Sequence, residues 1–191
     1  MNPGIRGTRN LGPQERNHKG QYTGPQGTLD QKVATLLAFW KSDPITAMKQ
    51  MFKVTPDEQQ TQLILEACKP GARIAAKSAQ GAGKTSTLTW LTLYFLLTLE
   101  DCRILITSPS YQQLSRVFHS ELLKWKDKLP EPFRSEFFEI NRDRVNIKGK
   151  PYQMANLVTA SADNEEPLPG GHSENYIIMA DQTEGARDGH T

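Results

Sequence analysis

Residues Ser78-Ala79-Gln80-Gly81-Ala82-Gly83-Lys84-Thr85 combine the residue types that hold a triphosphate. Such a group carries dense negative charge and many acceptor oxygens, so its cradle needs backbone N–H groups brought close, which small or absent Cβ substituents allow. Gly81, Ala82 and Gly83 supply that approach. A helix beginning at Lys84 adds the positive end of its dipole, the Lys84 ammonium can reach the β and γ phosphates, and the Thr85 hydroxyl is placed for Mg²⁺. The stretch from Ser78 through Ser86 therefore reads as a binding loop for ATP and Mg²⁺. Ser78 stands where this pattern usually begins with Gly or Ala, so the string alone is a loose match. Its weight comes from context: an apolar strand from Arg73 to Ala76 before it and a long apolar helix after it.

A second stretch supplies the complementary charge. Tyr176-Ile177-Ile178-Met179-Ala180-Asp181 is an apolar strand that delivers one carboxylate at its carboxyl end. Ligands of open parallel sheets bind at those ends, so Asp181 would hold Mg²⁺ beside Thr85, as in a Walker B motif. Alone, Asp181 reads as an acidic turn after a core strand; the upstream loop is what turns it into a metal ligand. Gln60 sits early in a helix before the loop and has two readings, a surface glutamine or a paired hydrogen-bonding partner for an adenine edge. His172 has no second His or Cys spaced to share a metal, so a place near phosphate or DNA suits it better than zinc. Cys68 and Cys102 form neither a metal spacing nor a disulfide framework, which fits a reducing compartment and small core fillers.

The elements that must position these groups can be read in order. Residues 1–28 are rich in Gly, Pro, Asn and Gln and carry Arg6, Arg9, Arg16 and Lys19 against Glu15, a flexible basic tail. Such an arm can meet a phosphate backbone or a partner subunit, though a solvated end is the simpler reading. Thr28 is expected to cap a helix whose face holds Leu29, Val33, Leu36, Leu37 and Trp40. Asp43 caps a second, with Pro44 at its first position and Ile45, Met48, Met51 and Phe52 toward the core. Thr55-Pro56-Asp57-Glu58 predicts a capping box led by Thr55, with the helix running to about Cys68 and stopped by Lys69-Pro70-Gly71.

The helix from Lys84 to about Leu99 is apolar on most sides, as befits an element between a sheet and another layer. Arg103 to Thr107 is a short strand, and Ser108-Pro109-Ser110 leads into a helix with Leu114, Val117, Phe118, Leu122, Leu123 and Trp125. Lys124, Lys126 and Lys128 suit that helix's negative end; a DNA role is the alternative to a solvated face. Phe138, Ile140, Val145 and Ile147 alternate around Asn141-Arg142-Asp143 as in a hairpin that projects from the sheet, and Asn156 to Ala160 reads as another strand. Strand, crossover helix and strand imply a parallel sheet.

With 191 residues the chain can bury one good core, and its net charge of +2 announces no global field for nucleic acid while leaving local basic clusters open. The apolar run Leu88 to Leu99 is broken by threonines and is shorter than the roughly 20 residues a membrane span needs. No membrane span and no secretory leader are expected. The expected fold is α/β: a P-loop NTPase with a mainly parallel sheet flanked by helices, after a small helical segment. It divides into the tail of residues 1–28, a helical lead-in of 29–71 and an ATPase core of 72–191 that is incomplete at its C-terminal end.

From about Asp43 to Gly189 the chain resembles the ATPase part of phage terminase large subunits, the motors that pump DNA into procapsids. The resemblance rests on an ordered set: Pro56-Asp57-Glu58-Gln59-Gln60, the Lys77 to Thr85 loop, Thr107-Ser108-Pro109-Ser110-Tyr111-Gln112-Gln113, Thr159-Ala160-Ser161-Ala162-Asp163-Asn164, Leu168-Pro169-Gly170-Gly171-His172, and Tyr176 to Gly185. It implies that Gln60 contacts adenine, Lys84 and Thr85 serve phosphate and Mg²⁺, and Asp181 holds the metal. It further implies double-stranded DNA as partner, a homo-oligomeric ring working with a portal and a small terminase subunit, and action in the cytoplasm of an infected bacterium.

Departures from the family pattern shape the expectation. The residue after Asp181 is usually the Glu that polarises the attacking water; here it is Gln182, whose amide cannot accept that proton. ATP binding with severely slowed hydrolysis follows, whether Gln182 is native or introduced. Glu184 would point the same way from an extended strand end but farther from the γ-phosphate. Gln80 stands where many terminases carry Arg or His. The sequence runs ten residues past Asp181, so later ATPase strands, a coupling segment and a nuclease domain are not expected in it. An Arg finger cannot be chosen among Arg73, Arg103, Arg142 and Arg144. The competing readings are a helicase-like P-loop ATPase, which would need a second motor domain, and a non-hydrolysing nucleotide-dependent DNA-binding or assembly module.

Overall fold

The computed structural model describes residues 26–75, 83–108, 110, 112–159 and 173–181. Four helices come first: α1 Gln26–Ser42, α2 Pro44–Phe52, α3 Glu58–Ala67 and α4 Lys84–Thr98. Then follow β1 Cys102–Ser108, a π-helical segment Gln113–Phe118 continued by α5 His119–Lys126, and a second π-helical turn Phe133–Phe137. Strands β2 Phe138–Ile140, β3 Arg144–Ile147, β4 Lys150–Thr159 and β5 Asn175–Ala180 complete the order. The boundary between two compact units falls within α1, after Ala38.

Helix α1 spans Gln26–Ser42, so position 28 falls inside the helix and not before it as expected. Val33, Leu36 and Leu37 are less exposed than their neighbours, the helical spacing expected of one face. In the second unit Trp40 is buried, its indole Nε1 donating to Gln50 Oε1 at 2.7 Å and its ring 5.0 Å from that of Phe133. Asp43 caps α2 by accepting from Thr46 N at 3.0 Å, with Pro44 at the first position; Met48, Met51 and Phe52 are buried.

The α3 cap differs from expectation. Asp57, not Thr55, leads the capping box: its Oδ1 accepts from Gln60 N at 2.8 Å while Gln60 Oε1 accepts from Asp57 N at 3.0 Å. Two orphan N–H groups are thereby satisfied reciprocally, and the Pro56 ring packs in the turn before the helix as a buried residue.

The sheet has five strands in the order β2-β3-β4-β1-β5. β1 pairs parallel with β4 and with β5, whereas β2-β3 and β3-β4 are antiparallel, so the sheet is mixed where a mainly parallel one was expected. The hairpin does not project: Phe138, Val145 and Ile147 are buried, and joining the sheet through Val145↔Ala155 is what buries them. β4 begins six residues before the predicted Asn156, at Lys150 after the left-handed Gly149. Residues 72–75 form no strand, and Arg73, Ile74 and Ala75 are exposed; one large apolar side chain offers too little area to offset the ordering cost. Ala76 lies outside the described residues.

Helix α4 packs on the sheet, contacting β1 and β4 as well as α2, α3 and α5. It carries buried threonines on an otherwise apolar surface, and each solves its own hydroxyl locally. Thr87, Thr89, Thr92 and Thr98 donate to the carbonyls of Gly83, Thr85, Leu88 and Tyr94 at 2.8–3.0 Å. At the far end Gln153 of β4 donates through Nε2 to the carbonyls of Leu96 and Leu99, the latter at 2.8 Å, supplying partners that a helix C-terminus lacks. Phe52, Trp90 and Trp125 form a cluster joining α2, α4 and α5: Phe52 stacks on Trp90 at 6.2 Å, and Trp125 meets Phe52 and Trp90 edge-on at 5.9 and 5.0 Å, pairs that contribute about 1 kcal/mol each beyond area burial. Among the described residues no helix is long and apolar enough to cross a membrane.

Candidate functional site

The carboxyl ends of β1 and β5 meet the N-terminus of α4. The backbone N–H of Asp181 donates to Thr107 O at 2.9 Å, extending the β1-β5 ladder one residue past the strand and fixing where the Asp181 side chain starts. Its carboxylate is buried, and Oδ2 accepts from Thr85 Oγ1 at 2.8 Å across a sequence separation of 96. Two residues read from separate motifs thus touch.

Gly83 occupies the N-cap position of α4 with φ +74°, the left-handed region open to glycine at least cost. A Cβ there would stand 2.8 Å from Gln60 Nε2. A side chain there would therefore make the Gln60 amide shift, since Gln60 lies against Gly83. Its carbonyl oxygen already serves the α3 cap, leaving the amide nitrogen toward Gly83. Lys84 is the first residue of α4.

Ser86 turns away from Thr85 and donates to Glu121 Oε2 at 2.9 Å. The same oxygen accepts from Trp125 Nε1 at 2.7 Å, and Oε1 takes Lys124 Nζ at 3.0 Å. Burial opposes ionisation of Glu121, but hydrogen bonds from Lys124, Ser86 and Trp125 outweigh it and hold the carboxyl below its ordinary range. Sequence reasoning missed Glu121. Its spacing from Trp125 is visible on a helix, but no sequence signal pairs it with Ser86 on another.

The chemistry available at this end of the sheet is a helix N-terminus, hydroxyl groups and one buried carboxylate. Mg²⁺ takes oxygen ligands, one or two carboxylates at most, and keeps water or phosphate for the rest, so the Thr85 and Asp181 oxygens fit it in type. Among the described residues no three His, Cys, Asp or Glu side chains gather as a protein-only metal cage. Ser78, Ala79, Gln80, Gly81, Ala82, His172 and Gln182 lie outside the described residues. Of the arginines, Arg103 stands near the start of β1, at the opposite end of the sheet from Asp181, with its guanidinium 5.7 Å from the Tyr152 ring centroid.

No family model matches the chain. It is similar to a terminase subunit. That relative, the "Probable terminase, large subunit" of Enterobacteria phage P7, is 24% identical over 162 residues. The match covers 83% of this chain but 33% of the relative, so the chain spans about a third of the length of the phage P7 terminase subunit. The terminase likeness thus extends over most of the sequence described above.

Proposed function

We propose that this chain is the ATPase part of a viral DNA-packaging terminase large subunit, a P-loop ATPase that binds Mg·ATP to drive DNA into a procapsid. The observation that carries the reading is the 2.8 Å contact of Thr85 with Asp181, the hydroxyl and carboxylate that a Mg·triphosphate requires together. The likeness to the phage P7 subunit supports the packaging role.

In this reading the backbone from Ser78 to Gly83 and the N-terminus of α4 receive the phosphates, and Lys84 neutralises the β and γ groups. Thr85 and Asp181 would hold Mg²⁺, which would supply charge neutralisation for the phosphates. Gln60, at the mouth of the turn, faces the base, offering its Nε2 as a donor. Double-stranded DNA, a ring of like subunits, a portal and a small terminase subunit are the partners, met in the host cytoplasm. Gln182 orients the attacking water by hydrogen bonding without taking its proton, so turnover is slow.

The deciding experiment titrates Mg·ATP into the protein and its Lys84→Ala variant, then measures turnover with and without double-stranded DNA. Binding by the parent, loss of binding in the variant and DNA-stimulated turnover are expected. A parent that does not bind ATP overturns the reading. The sequence Asp181-Gln182 favours one second reading, a nucleotide-dependent DNA-binding or assembly module. Tight ATP binding with no turnover, even with DNA present, would select it.

A further inference from the structure

We propose that Glu121 is a positioning residue for the first turn of α4, gripping it through Ser86 so that its N–H groups and the Thr85 hydroxyl stay aimed at phosphate. The inference rests on the nucleotide-binding reading for its consequence, but its structural half stands on contacts already described.

The first turn of α4 has little local support. Gly83 offers no side chain to cap it, and no acidic residue lies within it. Its geometry therefore depends on tertiary contacts, and two hydroxyls supply them. Thr85 and Ser86 are consecutive, so their side chains leave the helix about 100° apart. Thr85 Oγ1 goes to Asp181 at 2.8 Å and Ser86 Oγ to Glu121 at 2.9 Å. One turn is thus held by carboxylates from two directions, one at the end of β5 and one on α5.

These two holds are not equivalent. Thr85 and Asp181 are the pair that would serve the cation. Ser86, whose hydroxyl is directed to Glu121, and Glu121 are not the pair that would hold the cation, so their bond is the one assigned to fixing the turn. Glu121 is itself fixed by Trp125 Nε1 and Lys124, and Trp125 is anchored edge-on against Trp90 of α4 at 5.0 Å. The tether is therefore stiff, since its far end returns to the same helix one to two turns along.

Amide hydrogen exchange in nucleotide-free protein tests the positioning directly. Glu121→Ala and Ser86→Ala should each speed exchange at Thr87 and Leu88, the first N–H groups of α4 with carbonyl partners, by about tenfold relative to Leu93 to Leu97 of the same helix, as expected for loss of a hydrogen bond to a charged group. The double variant should show no more than either single, and Glu121→Gln, which keeps an acceptor, should recover part of the protection. Lys124→Ala, which removes an exposed cation from Glu121 and from the Trp125 face but leaves the Ser86 and Trp125 hydrogen bonds to Glu121 in place, should loosen the turn less than Glu121→Ala does. Unchanged exchange, or exchange raised evenly along α4, overturns the proposal. Titration with Mg·ATP supplies the second arm, with affinity about tenfold weaker in Glu121→Ala. If the parent binds and Glu121→Ala binds equally, the role toward nucleotide falls. If the parent does not bind, the proposed function fails and the exchange result alone decides whether Glu121 positions the turn.

Discussion

The side-chain nitrogen of Gln60 stands 2.8 Å from the position a Cβ would take at Gly83, closer than van der Waals contact. Gly83 is thus constrained twice, by its φ of +74° and by its neighbour. Gly149 offers a control, because its φ is +77° but nothing lies within 4 Å of its Cβ position. Gly149→Ala should cost about 1–2 kcal/mol from backbone strain alone. Gly83→Ala should cost more and release Gln60 from its cap. Urea unfolding of both variants measures the difference, and equal losses would show that the Gln60 contact is immaterial.

Removing the Thr85 hydroxyl leaves a buried carboxylate one donor short. Thr85→Val should destabilise the protein by about 1–3 kcal/mol, whereas Thr85→Ser, which keeps the hydroxyl, should lose far less. The same pair separates folding from ligand chemistry: Thr85→Val should also abolish the Mg²⁺ dependence of ATP binding, read by titration with and without the ion.

Turnover should respond to the residue after Asp181. Restoring a carboxylate with Gln182→Glu is expected to raise steady-state ATP hydrolysis by about a hundredfold or more, the range attributed to a positioned general base. ATP affinity should change little. A parent that already turns over rapidly would contradict the assignment of slow chemistry to Gln182.

Acid sensitivity should trace to Glu121. Its folded-state value is depressed below the ordinary 4.5, so its stabilisation is full above the unfolded value and fades as pH falls through the folded one. Thermal unfolding of the parent should therefore show a loss of stability on acidification below about pH 4.5, added to contributions of the same sign from the depressed Asp43 and Glu131. Glu121→Gln should flatten that slope without removing it. Identical pH profiles would refute the shift at this residue.

Replacing Gln153 by Met keeps most of its bulk and removes its donor. Two carbonyls at the end of α4 lose a partner, and a loss of about 1–3 kcal/mol is expected in chemical denaturation. A neutral substitution would show that solvent reaches these carbonyls.

Local chemistry was legible where it stood alone. Asp43-Pro44 announced the start of α2, the apolar run from Lys84 announced α4, and the alternation of Phe138, Ile140, Val145 and Ile147 announced the β2-β3 pair. It misled where two signals competed. Thr55 and Asp57 flank Pro56 and both can cap; the reciprocal fit of Gln60 with Asp57 decided, and a string cannot display that fit. The π-helical segment from Gln113 to Phe118 has the same apolar spacing as an α-helix over so short a length. Exposed Pro151 and Tyr152 concealed the early start of β4, and the mixed character of the sheet followed from that strand's pairing with β3. At the candidate site, Thr85 and Asp181 could be anticipated because each belongs to a motif. Glu121 could not, since only the packing of α5 on α4 brings it to Ser86.

The grip of Gln153 on the carbonyls of Leu96 and Leu99 gives α4 a fixed heel. With that end pinned to β4 and the leading turn tied to α5 through Ser86 and Glu121, a push delivered near Thr85 cannot slide the rod lengthwise; it can only tilt the rod with α5 in tow. Arc motion of this kind grows with distance from the heel, so the leading turn would travel farther than the Trp90 level. We expect any stroke of this element to be a joint tilt, visible as Thr85 and Glu121 moving together, and farther than Phe95, when liganded and free forms are overlaid on the sheet.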